Sequence, residues 1–187
     1  MEPVPVPLPS SLWAQSASAG LGAALSGVGN AALLHAPLLG LCCSRGCPGN
    51  VVIDTIEQVP GWVAQGRVLV GGFHAPLEQQ VLLSLLRRGG SAVKLLARGM
   101  ADYRPPPEER EPLGAGRLLV ATAFPAEVRR ITRKTALVRN RQVIGLATEL
   151  LVPFVADGSP LAALVEEAAR GKAAQLGGVG AASHDGR

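Results

Sequence analysis

Val68-Leu69-Val70-Gly71-Gly72-Phe73-His74-Ala75-Pro76-Leu77-Glu78 is the stretch whose reading decides the fold. An apolar strand runs into paired glycines, and a helix opens at Pro76, whose missing N–H is unpaired at a first helical position anyway. That order aims backbone N–H groups and the positive end of a helix dipole at one spot, which suits an anion such as phosphate. The glycines have a plainer use as well, since a tight strand-to-helix turn needs them with or without a ligand. From Pro76 to Arg88, Leu77, Val81, Leu82, Leu85 and Leu86 share one face while Glu78, Gln79, Ser84, Arg87 and Arg88 take the other. Gly89-Gly90 stops this helix.

Working outward, strand-like and helix-like runs alternate. Pro37 to Cys43 is a short apolar run, followed by a Ser44 to Asn50 loop and a helix from Val51 to about Gln65 that Pro60 is predicted to kink or split. Arg67 to Val70 is the next strand, Ala92 to Ala97 the third and Arg117 to Ala123 the fourth, with a proline-rich loop from Tyr103 to Pro112 between the last two. A helix over about Thr132 to Ala147, a strand over Glu149 to Val155 and a helix over Pro160 to about Arg170 complete the pattern. Alternation of this kind implies crossovers and a sheet covered on both faces. The predicted fold is α/β, a doubly wound, mainly parallel five-stranded Rossmann-like sheet in the order 3-2-1-4-5. Residues 1–36 read as a loosely ordered Pro/Ala/Gly-rich arm with at most one weak helix, 37–170 as the domain and 171–187 as a flexible tail.

The 187 residues fit one domain with tails, and 48% hydrophobic against 17% charged residues is a globular composition. A net charge of +4 permits a polyanionic partner, and what matters is where the charge sits. Arg129, Arg130, Arg133, Lys134, Arg139 and Arg141 fall in one segment that holds no acidic residue. Aromatic residues make up only 3%, which argues against a broad base-stacking platform. Cys42, Cys43 and Cys47 are too crowded for a secreted disulfide framework, so the expected setting is a reducing cytoplasm. They read as small buried thiols or, with His35 or His74 as a fourth ligand, as a metal site. Pro3 to Ser44 carries no Asp, Glu, Lys or Arg, yet no basic stretch precedes it and Gly, Ser, Asn30, His35 and Pro37 dilute it. Neither a signal peptide nor a membrane span is predicted.

Ligands of such a sheet bind at the carboxyl ends of the strands, near the point where strand order reverses. Four loops are expected there: Ser44-Arg45-Gly46, Gly71 to Ala75, Thr122 to Pro125 and Asp157 to Pro160. The candidate ligand- or phosphate-binding residues are Ser44, Arg45, Gly71, Gly72, Phe73, His74, Phe124, Gly158 and Ser159. Ser159 is also a good helix cap with no ligand at all. Arg129, Arg130, Arg133, Arg139, Asn140 and Arg141 are the charge partners, the arginines because a guanidinium fork matches phosphate oxygens. The alternative is a solvated basic face. On a continuous helix Asn140 faces protein, where it either pins a loop or reads a ligand edge. No Ser-His-Asp order, metalloprotease helix, P-loop lysine or carboxylate pair is present, so no catalytic residue, metal or cofactor is assigned.

Several stretches, in order, resemble the domain of the bacterial DNA-processing protein A family (DprA, or Smf), within the wider group that includes LOG-type proteins. Val70-Gly71-Gly72 is similar to that family's S-G-G-A-x-G-I-D turn, and Cys43-Ser44-Arg45 sits where it has G-S-R. Gly99 to Leu113, with Tyr103, Pro105-Pro106-Pro107-Glu108 and Arg110-Glu111, resembles its G-L-D-x-x-Y-P-P-E-N-R-E-L loop. Phe124-Pro125, Arg139-Asn140-Arg141 and Ile144-Gly145-Leu146 resemble F-P-x-R-N-R-x-I-A-G-L, and Gly158-Ser159 falls at its S-G-S. The resemblance runs from about Leu38 to Arg170. It implies a cytoplasmic protein that binds single-stranded DNA, helps load a recombinase and often forms a homodimer. The turn departs from the pattern, since Phe73 to Glu78 lacks the basic and acidic residues usual there. The LOG branch implies hydrolysis of nucleoside monophosphates, but Ala162 stands where its signature carries the catalytic glutamate. A small-ligand nucleotide sensor is the remaining reading.

Overall fold

Residues two apart in a strand share a face of the sheet, and here both faces are apolar. Leu38, Val70, Val93 and Leu119 point to one side, Leu39, Leu69, Ala92 and Leu118 to the other, and all eight are buried. The structure, a computed structural model, describes residues 3–8 and 24–177. Its strands are β1 (Val4–Pro7), β2 (Ala24–Gly29), β3 (Leu38–Leu41), β4 (Val68–Gly71), β5 (Ser91–Leu95), β6 (Leu118–Thr122) and β7 (Glu149–Leu151). The helices are α1 (Gly49–Ala64), α2 (Pro76–Arg87), α3 (Pro107–Gly114), α4 (Arg133–Leu146) and α5 (Pro160–Gly177), with a 3-10 turn at Ala31–His35. Val59 and Trp62 of α1, Leu77, Val81 and Leu85 of α2 and Leu113 of α3 cover one face. Leu34 of the 3-10 turn, Val143 and Leu146 of α4 and Leu161 of α5 cover the other.

The sheet has seven strands in the order β1-β2-β6-β5-β4-β3-β7. From β6 to β7 all neighbours are parallel, whereas β2 runs antiparallel to β6 and β1 antiparallel to β2. This corrects the expected five-stranded sheet twice. The order is wrong because β6 pairs with β5, bringing Ala92 opposite Leu118, instead of lying beside β3. Two further strands come from the stretch expected to form a loose arm. Pro5 and Pro7 cannot donate to a ladder, but β1 is an edge strand with one side to pair, the place where a sheet tolerates proline. Much of the Ala14 to Ala32 tract, and the tail from residue 178 on, lie outside the described residues.

Smaller differences have local causes. Pro60 does not split α1, which runs on through it, and the residue is exposed, so the carbonyl it leaves unpaired can turn to water. The proline-rich loop gives way to α3, which starts with Pro107 and carries Glu108 and Glu109 in its first turn, where a helix dipole favours carboxylates. Glu109 is buried and accepts from Lys94 Nζ and Tyr103 Oη, each at 2.5 Å, fastening the loop before α3 to β5. β7 stops at Leu151, and α5 runs past Arg170 to Gly177. Gly40 is fixed by packing, since a Cβ there would lie 2.6 Å from that of Ala147 just beyond α4.

Strand order reverses at β3. The chain builds outward through β4, β5 and β6, then returns over α4 to add β7 on the other side of β3. The carboxyl ends of β3, β4 and β7 therefore meet at one place.

Candidate functional site

An open cleft of about 800 Å³ lies at that place. Ser44, Arg45 and Gly46 after β3, His74 and Ala75 after β4, and Ala156 and Ser159 after β7 form its rim, and the first two turns of α4 form its far wall. Of the four loops expected to converge, Thr122 to Pro125 does not line it, and Phe124 lies outside. The strand order explains why: β5 and β4 separate β6 from β3, which at roughly 4.8 Å per strand is some 14 Å.

The glycine turn holds an anion, and the anion is the protein's own. Glu78, 4% exposed, accepts from Cys43 N and His74 N at 2.9 Å and from Ala75 N at 3.4 Å. Two of the turn's backbone donors, those of His74 and Ala75, are thereby already paired. Glu78 is the third residue of α2, where a carboxylate can reach back to the first N–H groups, a signal readable in the sequence. Phe73 takes a left-handed φ of 48° that turns its ring into the core, away from the cleft.

Gly72 makes room for Arg139. A Cβ there would lie 1.7 Å from Arg139 Nη1 and 1.9 Å from Cζ, so the guanidinium lies directly on the bare backbone. Arg139 is 5% exposed, and its one side-chain hydrogen bond among the described residues is from Nε to Asn140 Oδ1, at 2.9 Å. Its η-nitrogens have no acceptor in the described protein, and the residue lines the cleft. Burial lowers the pKa of Arg139, and the Glu78 charge offsets only part of that shift. At the mouth, Arg45 Nη2 lies 3.0 Å from His74 Nε2. The His74 pKa is lowered by burial and by the nearby charges of Arg139 and Arg45, with Glu78 acting the other way.

The remaining expected residues divide by role. Ser44 Oγ accepts from Ala156 N at 3.0 Å, tying the loop after β3 to the one after β7. Ser159 Oγ accepts from Ala162 N at 3.2 Å, capping α5 just after Gly158 turns the chain at φ 64°. Ala162 therefore sits in the first turn of α5. Asn140 lines the cleft while it orients Arg139. Arg141 is engaged elsewhere, in a two-pronged pair with Glu167 of α5 at 3.3 and 3.0 Å. Arg129, Arg130 and Arg133 are exposed and have no ion-pair partner among the described residues. Sequence reading missed Ile131, 48% exposed, which with Leu137 and Leu161 gives the cleft an apolar wall.

Cys42 and Cys43 are buried, one in each core cluster, and burial pushes both thiols up to about 12, with Glu78 adding to the shift at Cys42 and Cys47 at Cys43. Among the described residues, no group of three or more His, Cys, Asp or Glu could hold a metal ion. No helix among them is long and apolar enough to cross a membrane.

No family model matches the sequence, and no curated protein does. Solved structures do match. The X-ray structure of DNA processing protein A (DprA) from Streptococcus pneumoniae superposes with a TM-score of 0.64 at 21% identity, covering 79% of this chain and 52% of that one. DprA from Helicobacter pylori, described for its unique single-stranded DNA binding mode, gives a TM-score of 0.64 at 19% identity over 78% of this chain and 68% of that one. The chain thus spans about half the length of the pneumococcal protein. Sheet and helices together share the fold of DNA processing protein A.

Proposed function

We propose that this protein binds single-stranded nucleic acid through its phosphates, in the cleft at the ends of β3, β4 and β7. One observation carries the reading: a buried arginine, Arg139, lines an open cleft with η-donors that have no acceptor among the described residues. A buried cation so placed favours an anion that it can grip with both nitrogens. Arg45 at the mouth, Arg133 on the wall, and Arg129, Arg130 and Lys134 beyond them can follow a phosphate chain outward. The apolar wall of Ile131, Leu137 and Leu161 can hold a base or sugar without reading its hydrogen-bonding edge, so binding should tolerate sequence. The DNA-binding neighbour of the same fold supports this reading.

Fluorescence anisotropy with a labelled deoxythymidine oligonucleotide tests it. The logarithm of affinity should fall linearly with that of salt, by about 0.7 for each phosphate neutralised on a single strand. Absence of binding at low salt removes the proposal. Thermal stabilisation by a nucleoside monophosphate and none by oligonucleotide would favour the sensor reading instead. The recombinase partner, the homodimer and the cytoplasmic setting belong to the same proposal, and sedimentation of the purified chain checks the dimer.

Gly72→Ala probes the site from behind. The added methyl must displace the Arg139 guanidinium, the end of a flexible side chain. Folding should lose only about 1–3 kcal/mol. Oligonucleotide affinity should fall about tenfold or more, because the fork no longer faces the cleft. Titration and thermal melting of the same preparation check the two halves.

A further inference from the structure

We propose that His74 is a proton-coupled ligand for the phosphate, so that the cleft takes up a proton on Nε2 as it binds. This rests on the reading of the cleft as a phosphate site. Arg45 Nη2 lies 3.0 Å from His74 Nε2, and a guanidinium carries donors only. With Arg45 as its donor, Nε2 therefore presents its lone pair, and the ring is neutral with its proton on Nδ1. The backbone on either side is held, since His74 N donates to Glu78 Oε2 and the His74 carbonyl accepts from Gln79 Nε2 at 3.3 Å. The ring stays at the mouth.

The charged groups acting on this ring come from four directions. Arg45 after β3, Arg139 of α4 and Lys94 of β5 oppose an imidazolium, and only Glu78 of α2 favours one. A phosphate that reaches the Arg139 η-nitrogens brings negative charge beside the ring and reverses that balance. Arg45 can then donate to a phosphate oxygen, and Nε2, once protonated, donates to another. The proton comes from solvent and no covalent bond changes.

The sign follows. The free-cleft pKa lies below the ordinary histidine value of about 6.5, and the bound-state pKa lies higher. Affinity is therefore greatest below the free value and falls as pH rises, by up to about tenfold per pH unit between the two values. Above the bound value it levels off.

The test is the dissociation constant of a deoxythymidine oligonucleotide lacking a terminal phosphate, measured across about pH 5 to 8.5 at constant salt. Phosphodiesters do not titrate in this range, so any slope belongs to the protein. The wild-type chain should show the slope, His74→Gln a weak flat profile, and His74→Lys a tighter flat one. Calorimetry in two buffers of different ionisation heat should show proton uptake in the wild type and none in His74→Gln. A flat wild-type profile, or a slope that survives in His74→Gln, overturns the proposal and leaves the cleft as a phosphate site. Failure to bind at every pH overturns both.

Discussion

Arg139→Met should fold and keep the shape of the cleft while binding single-stranded oligonucleotide about a hundredfold more weakly, a loss of about 3 kcal/mol. The methionine stem can still lie over Gly72, where the guanidinium now packs. What disappears is the charge lining the cleft and its pair of η-donors, which meet no acceptor in the described protein. The salt dependence should flatten at the same time, by about 0.7 in slope for each phosphate that is no longer neutralised. Arg141→Met is the control. It removes a neighbouring arginine whose fork is already occupied by Glu167 at a surface where such pairs contribute little. Anisotropy titrations of the two variants should differ widely, and equal losses would overturn the assignment of Arg139.

The largest effect on stability is expected at Glu78. Glu78→Ala should destabilise the fold by about 3–5 kcal/mol, since it strips three backbone N–H groups of their acceptor and leaves the Arg139 charge without its counterweight. The carboxylate joins the end of β3, through Cys43, to the start of α2, so its loss loosens the corner on which the cleft is built. Glu78→Gln should fall between, because the amide keeps one acceptor oxygen and turns a second donor toward N–H groups. Urea denaturation followed by tryptophan fluorescence measures both, with Trp62 on the buried face of α1 as a reporter. A Glu78→Ala protein that unfolds at the wild-type midpoint would show that these bonds carry no net stability.

What could be read from the sequence follows from the range of each interaction. The apolar face of α2 and the five parallel strands were legible because their signals lie within one element. Pairing partners were not, since alternation says that a strand is covered on both faces and not which strand lies beside it. β2 shows the limit: Ala24–Gly29 is poor in strand formers, and Gly27 suits the sheet because a Cβ there would lie 3.0 Å from Val6 Cγ2 and 3.1 Å from the Val120 carbonyl oxygen. Three of the four expected loops line the cleft, while Phe124 does not, because β7 and not β6 lies beside β3. The packing of Arg139 on Gly72 had no local signature, and neither did the bond from Cys43 to Glu78, which spans 35 residues. In the sequence the glycine pair reads as room for an outside anion. In the structure its second glycine makes room for an arginine, and two of the turn's donors are taken up by a glutamate.

The antiparallel strands bear on how the chain folds in time. β3, β4 and β5 are linked by single helices and can assemble from nearby pieces, whereas β2 must wait for β6, and Asn30 Nδ2 for the Gly116 carbonyl 86 residues further along. The first two described strands, though made before the others, can thus dock only once β6 is in place. Until they do, the outer edge of β6 stands open, a row of unpaired backbone groups able to accept a strand from another copy. β2 closes that edge, and β1 closes the next with a strand whose prolines offer little for a further one to bind. The β1–β2 pair is, in kinetic terms, a guard against self-association that has to wait for β6.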